Sequence, residues 1–160
     1  MPLISSRNVR TPRRFGRLAV IAAALGLVTL TAAPASAHAY DGADPAATGC
    51  SSGAVTVDQT SRDGMTFQLR WSSHCQTNWV RILNYPGTLS ASQRDGLRMD
   101  VGDLHRGLLV QFVGDTTTTG TRWGNMVYSP SDNCAGGYVN YKVGGTNWAE
   151  HDLSLFSSTC

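Results

Sequence analysis

Hydrophobic positions along this chain repeat mostly at a period of two. The clearest run is Met65 to Ser72, M-T-F-Q-L-R-W-S. It puts Met65, Phe67, Leu69 and Trp71 on one face and Thr66, Gln68, Arg70 and Ser72 on the other, as a half-buried strand requires. Ala54 to Asp58 is short and β-prone, and S-R-D-G at Ser61 to Gly64 supplies turn chemistry between the two segments. Further strands are predicted at Asn78–Leu83, Leu97–Val101, Leu108–Val113, Trp123–Tyr128, Tyr138–Val143 and Leu153–Phe156. Clusters of Gly, Pro, Asn, Asp and Ser separate them at intervals of roughly ten residues, which predicts an all-β antiparallel sandwich or barrel of about 7–8 short strands. The best helical signal is a single turn at Ser90–Arg94, cut off by Gly96 and Gly102. Thr116 to Thr119, between Asp115 and Gly120, reads as an exposed hairpin loop, and no internal repeat is present.

The first 37 residues follow a different pattern. Arg7, Arg10, Arg13, Arg14 and Arg17 precede the apolar run Leu18–Ala32, and A-P-A-S-A closes it at Ala37. About 15 apolar residues are too few to span a bilayer, which needs about 20. A basic head, apolar middle and small-residue end describe a secretory signal peptide cut after Ala37. Cleavage would take 37 residues and five arginines from a chain of 160 with 13 basic side chains. It would leave 123 residues with 8 basic against 11 acidic side chains. The excess of +2 in the whole chain thus becomes about −3. That balance argues against nucleic acid as a partner. No second apolar run would hold the processed chain in a membrane. One domain is expected from residue 50 to 160, preceded by an extended or turn-rich lead-in at 38–49, H-A-Y-D-G-A-D-P-A-A-T-G.

All four cysteines, Cys50, Cys75, Cys134 and Cys160, follow residue 37. An even count in an exported chain implies two disulfides, although four cysteines allow three connectivities. Strand pairing points to one of them. If Ala54–Asp58 pairs antiparallel with Met65–Ser72, facing residues have numbers that sum to about 125, as Cys50 and Cys75 do. The last two strands centre near residue 147, which is the midpoint of Cys134 and Cys160. Each bridge would then close the open end of one hairpin.

Candidate chemistry is sparse. Bridged cysteines leave no thiol nucleophile or thiolate ligand, and a C-x-x-C spacing is absent. No G-x-S-x-G elbow accompanies His74, His105 or His151. His151, between Glu150 and Asp152, is the most catalytic-looking of the three. Glu150 is the only glutamate, and the aspartates mostly occupy turns, where they cap their own backbone. Asp41 and Asp44 in D-G-A-D-P are read first as turn anchors and second as calcium ligands, since the rest of an EF-hand series is missing. No metal site or cofactor is assigned. Among the tryptophans, Trp71 belongs to the core face and Trp123 to core or rim. Trp79 shares a face with Arg81, where a guanidinium could stack on the indole. Trp148 follows G-G-T-N at the tip of the last predicted hairpin and is a candidate contact residue.

Two segments resemble a known family. Tyr40 to Cys50, Y-D-G-A-D-P-A-A-T-G-C, and Leu69 to Arg81, L-R-W-S-S-H-C-Q-T-N-W-V-R, are similar to small secreted actinobacterial proteins catalogued as a domain of unknown function. Their pattern is an aromatic or Cys before D-G-x-D-P-x-x-T-G-C, then L-R-(Y/W)-S-x-x-C-x-x-x-W-x-R. Tyr40 stands where some members carry a cysteine, so no third bridge is implied. The resemblance implies an exported, disulfide-bearing β domain across Asp41, Gly42, Asp44, Pro45, Cys50, Arg70, Cys75, Trp79 and Arg81, and it implies no reaction.

The reading expected from these residues is a secreted, non-catalytic binding or adaptor module. It would contact an extracellular protein or cell-wall glycan through Tyr40, Asp41, Asp44, Trp79, Arg81 and Trp148, alone or as a subunit of a larger assembly. The alternatives are a small secreted hydrolase using His151 with Asp152 or Glu150, and an inhibitor of a secreted enzyme. The oligomeric state stays open.

Overall fold

The computed structural model describes residues 38–87, 96–114, 118–143 and 149–160, with the backbone alone at 142, 143 and 149–151. The signal-like segment 1–37, the turn expected at Ser90–Arg94 and Trp148 lie outside the described residues, as do the side chains of Glu150 and His151.

Nine strands form among the described residues: β1 (Val55–Arg62), β2 (Met65–Ser72), β3 (Thr77–Tyr85), β4 (Leu97–Asp103), β5 (Leu108–Val110), β6 (Gly120–Trp123), β7 (Val127–Tyr128), β8 (Ala135–Val143) and β9 (Ala149–Phe156). All pairings are antiparallel. The first sheet runs β1-β2-β3-β6, with β7 pairing the far end of β3, and the second runs β5-β4-β8-β9. Met65, Phe67, Leu69, Val80 and Ile82 from the first sheet interlock with Leu97, Met99, Val101, Val139, Tyr141 and Leu155 from the second. The fold is therefore the all-β, two-disulfide architecture that the period-two pattern predicts.

Local chemistry sets the details. Arg62 and Met65 face each other across a two-residue loop, in which Asp63 and Gly64 have φ of 51° and 77°. A type I′ hairpin needs positive φ at both positions, and Asp-Gly supplies it cheaply. Gly137 faces inward on β8. A Cβ there would lie 2.8 Å from Val80 Cγ2 and 3.2 Å from Leu69 Cδ1, so the sheets meet closely across a residue without a side chain. The disulfides join Cys50 to Cys75 and Cys134 to Cys160, with Cα atoms 5.7 and 4.7 Å apart. Each closes the open end of its hairpin, as the strand centres predict. Loop-closure entropy makes each worth roughly 3 kcal/mol.

Two predicted strands differ from those formed. Trp123–Tyr128 is two short strands, because after Gly124, whose N still donates to Val80 O on β3 at 3.0 Å, the chain turns to meet the lead-in: Gly42 N donates to Met126 O and Met126 N to Ala43 O, both at 2.9 Å. The ladder of the Leu108–Val113 segment stops at Val110. Beyond it Phe112 N donates to the Asp100 carboxylate, and Val113 forms an isolated bridge to Arg98.

The lead-in is a chain of turns packed on the body. Cys50, Cys75, Trp79 and Met126 make a second small core on the outer side of β3, covered by Tyr40, Ala43 and Ala54. For this reason β3 is buried on both faces near its start, where a half-solvated strand would alternate.

Candidate binding site

The outer face of the first sheet carries a row of long polar side chains. Arg70 on β2 pairs with Thr56 on β1 and Trp79 on β3. One step along, Gln68 pairs with Gln59 and Arg81, and Arg81 pairs with Trp123 on β6. Period two puts all of them on one side. Gln68 Nε2 donates to Gln59 Oε1 at 3.1 Å, and Arg81 Nε donates to Gln68 Oε1 at 2.8 Å. Arg70 donates to Thr56 Oγ1 and to the Ala54 carbonyl. Above this row lie Pro45 and Ala46 from the lead-in and Ser51 just after Cys50. With Arg70, Trp79, Arg81, Thr121 and Trp123 they enclose a pocket of about 140 Å³.

Charge in this pocket is unbalanced. Neither Arg70 nor Arg81 has a carboxylate partner among the described residues, where the ion pairs are Arg62–Asp63, Arg98–Asp100 and Arg106–Asp41. Burial, and then the like charge of Arg81, push the Arg70 pKa below its ordinary value. The buried Nε of Arg70 has no hydrogen-bond partner among the described residues. Two adjacent guanidiniums held by neutral groups form a positive hollow, which an incoming anion would relieve.

Asp44 builds the wall of this hollow. Its Oδ1 accepts from Ala46 N at 2.7 Å and Ala47 N at 2.9 Å, capping the turn that begins at Pro45. Its Oδ2 accepts from Trp123 Nε1 at 3.2 Å and so fixes the indole over the pocket. Trp123 is 38 % exposed, whereas Trp79 is 3 % exposed and mainly packs against the Cys50–Cys75 bridge. Exposed aromatic contact therefore comes from Trp123, a residue that its sequence context assigns only to core or rim.

Asp41 anchors the other end of the lead-in. It accepts from Arg106 Nη2 at 2.6 Å and Nη1 at 3.1 Å, from Tyr128 N at 2.8 Å and from His38 N at 2.7 Å. Burial works to raise its pKa, but these hydrogen bonds outweigh it and hold the carboxyl below its ordinary range. His38 stacks on Tyr128, with ring centroids 3.7 Å apart, and Tyr40 is half-buried beside Met126. The cation–ring contact here is Arg106 over Tyr128 at 5.7 Å. Both aspartates thus act as turn and buckle anchors, with their oxygens turned to separate partners.

The structure therefore brings Asp44, Trp79 and Arg81 together with Arg70 and Trp123, sets Asp41 apart with Arg106, and uses Tyr40 to cover the small core that contains Trp79. Arg106 had no local signal, since its partner lies 65 positions away. Asp152, named in the hydrolase alternative, sits on the second sheet and accepts from Asn140 Nδ2 at 2.8 Å.

The fold and this face define a small disulfide-bridged β-sandwich with a positive, aromatic-walled pocket. Residues 38–137 match the family described as "Protein of unknown function (DUF2690)". This match spans more than half of the chain, which belongs to that family. No curated protein and no solved structure matches it. Every residue of the pocket lies within the matched stretch.

Proposed function

We propose that this protein is an exported, non-catalytic binding module of actinobacterial type that holds an anionic group of an extracellular partner in the Arg70–Arg81 pocket. One observation carries the reading: two neighbouring guanidiniums are presented beside an exposed indole, with no carboxylate to neutralise them among the described residues. The signal-like N-terminus and two disulfides support export, since bridges persist in oxidising compartments. A pocket of this size takes one carboxylate or phosphate with an apolar neighbour against Trp123. Such a group belongs equally to an acidic protein segment and to an acidic cell-wall glycan, so both remain partners in this proposal.

Calorimetry with a glutamate-rich peptide and with polyglycerol phosphate distinguishes the two sources. The proposal expects measurable affinity for one of them, weakened about tenfold by Arg81→Gln, with the melting temperature little changed. Equal affinity of wild type and Arg81→Gln for both probes would contradict it.

A further inference from the structure

The outer face of the second sheet bears a different surface. Gly102 on β4 pairs with Gly136 on β8, Leu109 on β5 flanks the first glycine, and Phe156 on β9 flanks the second. Two glycines side by side leave a gap in the row, and the Tyr138 ring fills it. A Cβ on Gly136 would lie 2.7 Å from Tyr138 Oη and 3.0 Å from Cζ, and one on Gly102 would lie 3.8 Å from Cε2. The ring thus leans down along its own strand and lies over the two glycines instead of standing off the sheet. The Phe156 ring stands nearly perpendicular to it, with centroids 6.0 Å apart and planes at 86°.

Tyr138 separates two hollows. On one side Leu104, Leu108 and Leu109 line an apolar hollow of about 420 Å³. On the other side Arg98, Asp100, Asn140, Asp152 and Ser154 line a polar one of about 300 Å³. These polar groups are preset: Arg98 Nη2 lies 2.7 Å from Asp100 Oδ2, Phe112 N donates to Asp100 Oδ1 at 3.0 Å, and Asn140 Nδ2 donates to Asp152 Oδ1. Leu104, Leu109 and Phe156 are large apolar side chains left exposed around the ring.

We propose that this face is a glycan subsite, with Tyr138 as the platform for a pyranose ring of a β-1,4-linked, gluco-configured chain. Such a sugar carries its hydroxyls equatorially. It offers a flat C–H face to an aromatic ring and projects hydroxyls in its plane, where the exposed Asp152 carboxylate accepts and Arg98, held by the buried Asp100, donates. Charge and size argue against other occupants. Two carboxylates beside one guanidinium repel a polyanion, and so nucleic acid. Three exposed apolar side chains around one ring are too few for the apolar centre of a stable protein interface, whereas one flat aromatic with convergent polar groups suits a neutral, hydroxyl-rich ligand. This site stands apart from the arginine pocket, on the opposite sheet, and needs no anion.

Titration of the ¹⁵N-labelled exported protein with cellohexaose and with chitohexaose, followed by NMR, tests it. The proposal expects saturable shifts centred on residues 100–104, 136–140 and 152–156 with at least one hexaose, and weaker shifts with the curved, α-linked maltohexaose. Tyr138→Ala should weaken binding at least about tenfold and Tyr138→Phe should retain it. Gly136→Ala keeps the tyrosine but lifts its ring, and should weaken binding as well. If that variant fails to fold, the Phe and Ala pair at position 138 decides. No shift with either flat hexaose at about 10 mM overturns the proposal, and so does undiminished binding by Tyr138→Ala.

Discussion

Replacing Asp41 by Asn tests how the lead-in is held to the β-sandwich. The two residues have nearly the same volume, so the change removes charge without opening a cavity. The Asp41 and Arg106 side chains are 8 % and 17 % exposed, and Asp41 accepts four hydrogen bonds in all, two of them from the guanidinium. In the Asp41→Asn variant the new amide Nδ2 would face a donor, and the partly buried Arg106 would lose the carboxylate that takes two of its hydrogen bonds. Hydrogen bonds to charged groups contribute about 1.5–3 kcal/mol each, and removing one partner of a buried pair costs about 3–5 kcal/mol. The residual exposure of Arg106 places the loss near the lower end, at about 3 kcal/mol. A domain of this size loses about 4 °C per kcal/mol, so protein beginning at His38 should melt about 12 °C lower by circular dichroism. Arg106→Met should cost a similar amount. The double variant should recover at least about 1.5 kcal/mol relative to the sum of the two. A drop under about 3 °C for Asp41→Asn, or strictly additive losses, would refute the buckle.

The other expectations follow from the same geometry. The pKa values of Asp41 and Asp44 lie below the ordinary 3.8, so their stabilising contribution is complete above that value. It is lost as pH falls through the folded-state pKa values; melting temperature should decline below about pH 4, and less steeply in Asp41→Asn. The Cys134–Cys160 bridge closes a loop with a sequence separation of 26. Cys134→Ser with Cys160→Ser should cost roughly 3 kcal/mol in a urea melt, and an unchanged midpoint would contradict the loop-entropy account. Export with cleavage after Ala37 would turn the His38 amide, 2.7 Å from Asp41 Oδ2, into an ammonium. Mass spectrometry of secreted protein should find His38 first, and a chain still carrying Met1 would exclude the cleavage.

What the sequence disclosed depended on how local the determining contacts are. β2 was legible as a strand, and Met65, Phe67 and Leu69 do face the core, but its burial does not simply alternate: Gln68 and Ser72 on the other face are buried as well, and Trp71, expected in the core, is half-buried outside that cluster. Both disulfides were legible because an antiparallel hairpin has a centre of symmetry that two cysteine positions reveal. β3 was blurred, since Trp79 is buried by the lead-in on the face that alternation assigns to solvent. Trp123–Tyr128 looked continuous, and its break at Gly124–Met126 comes from pairing with Gly42 and Ala43, more than 80 positions earlier. Arg70, Trp79 and Arg81 could be placed on common faces from strand period alone. Trp123 and Asp44 joined them only through folding, and so did the seat that Gly102 and Gly136 give to Tyr138.

The account stands most directly on whether the Arg70–Arg81 hollow takes an anion. Titrating ¹⁵N-labelled protein with methyl glucuronide and with N-acetylglutamate, while following the Nε–H resonances of Arg70 and Arg81 and the indole N–H of Trp123, addresses it without knowledge of the partner. With an anion in the hollow, the three signals move together and saturate with at least one probe, and in Arg81→Gln the Arg70 and Trp123 signals need about tenfold more of that probe to move as far. Three signals that stay fixed at about 20 mM of either probe, or Arg70 and Trp123 signals that respond equally in Arg81→Gln and in the unaltered protein, would contradict it.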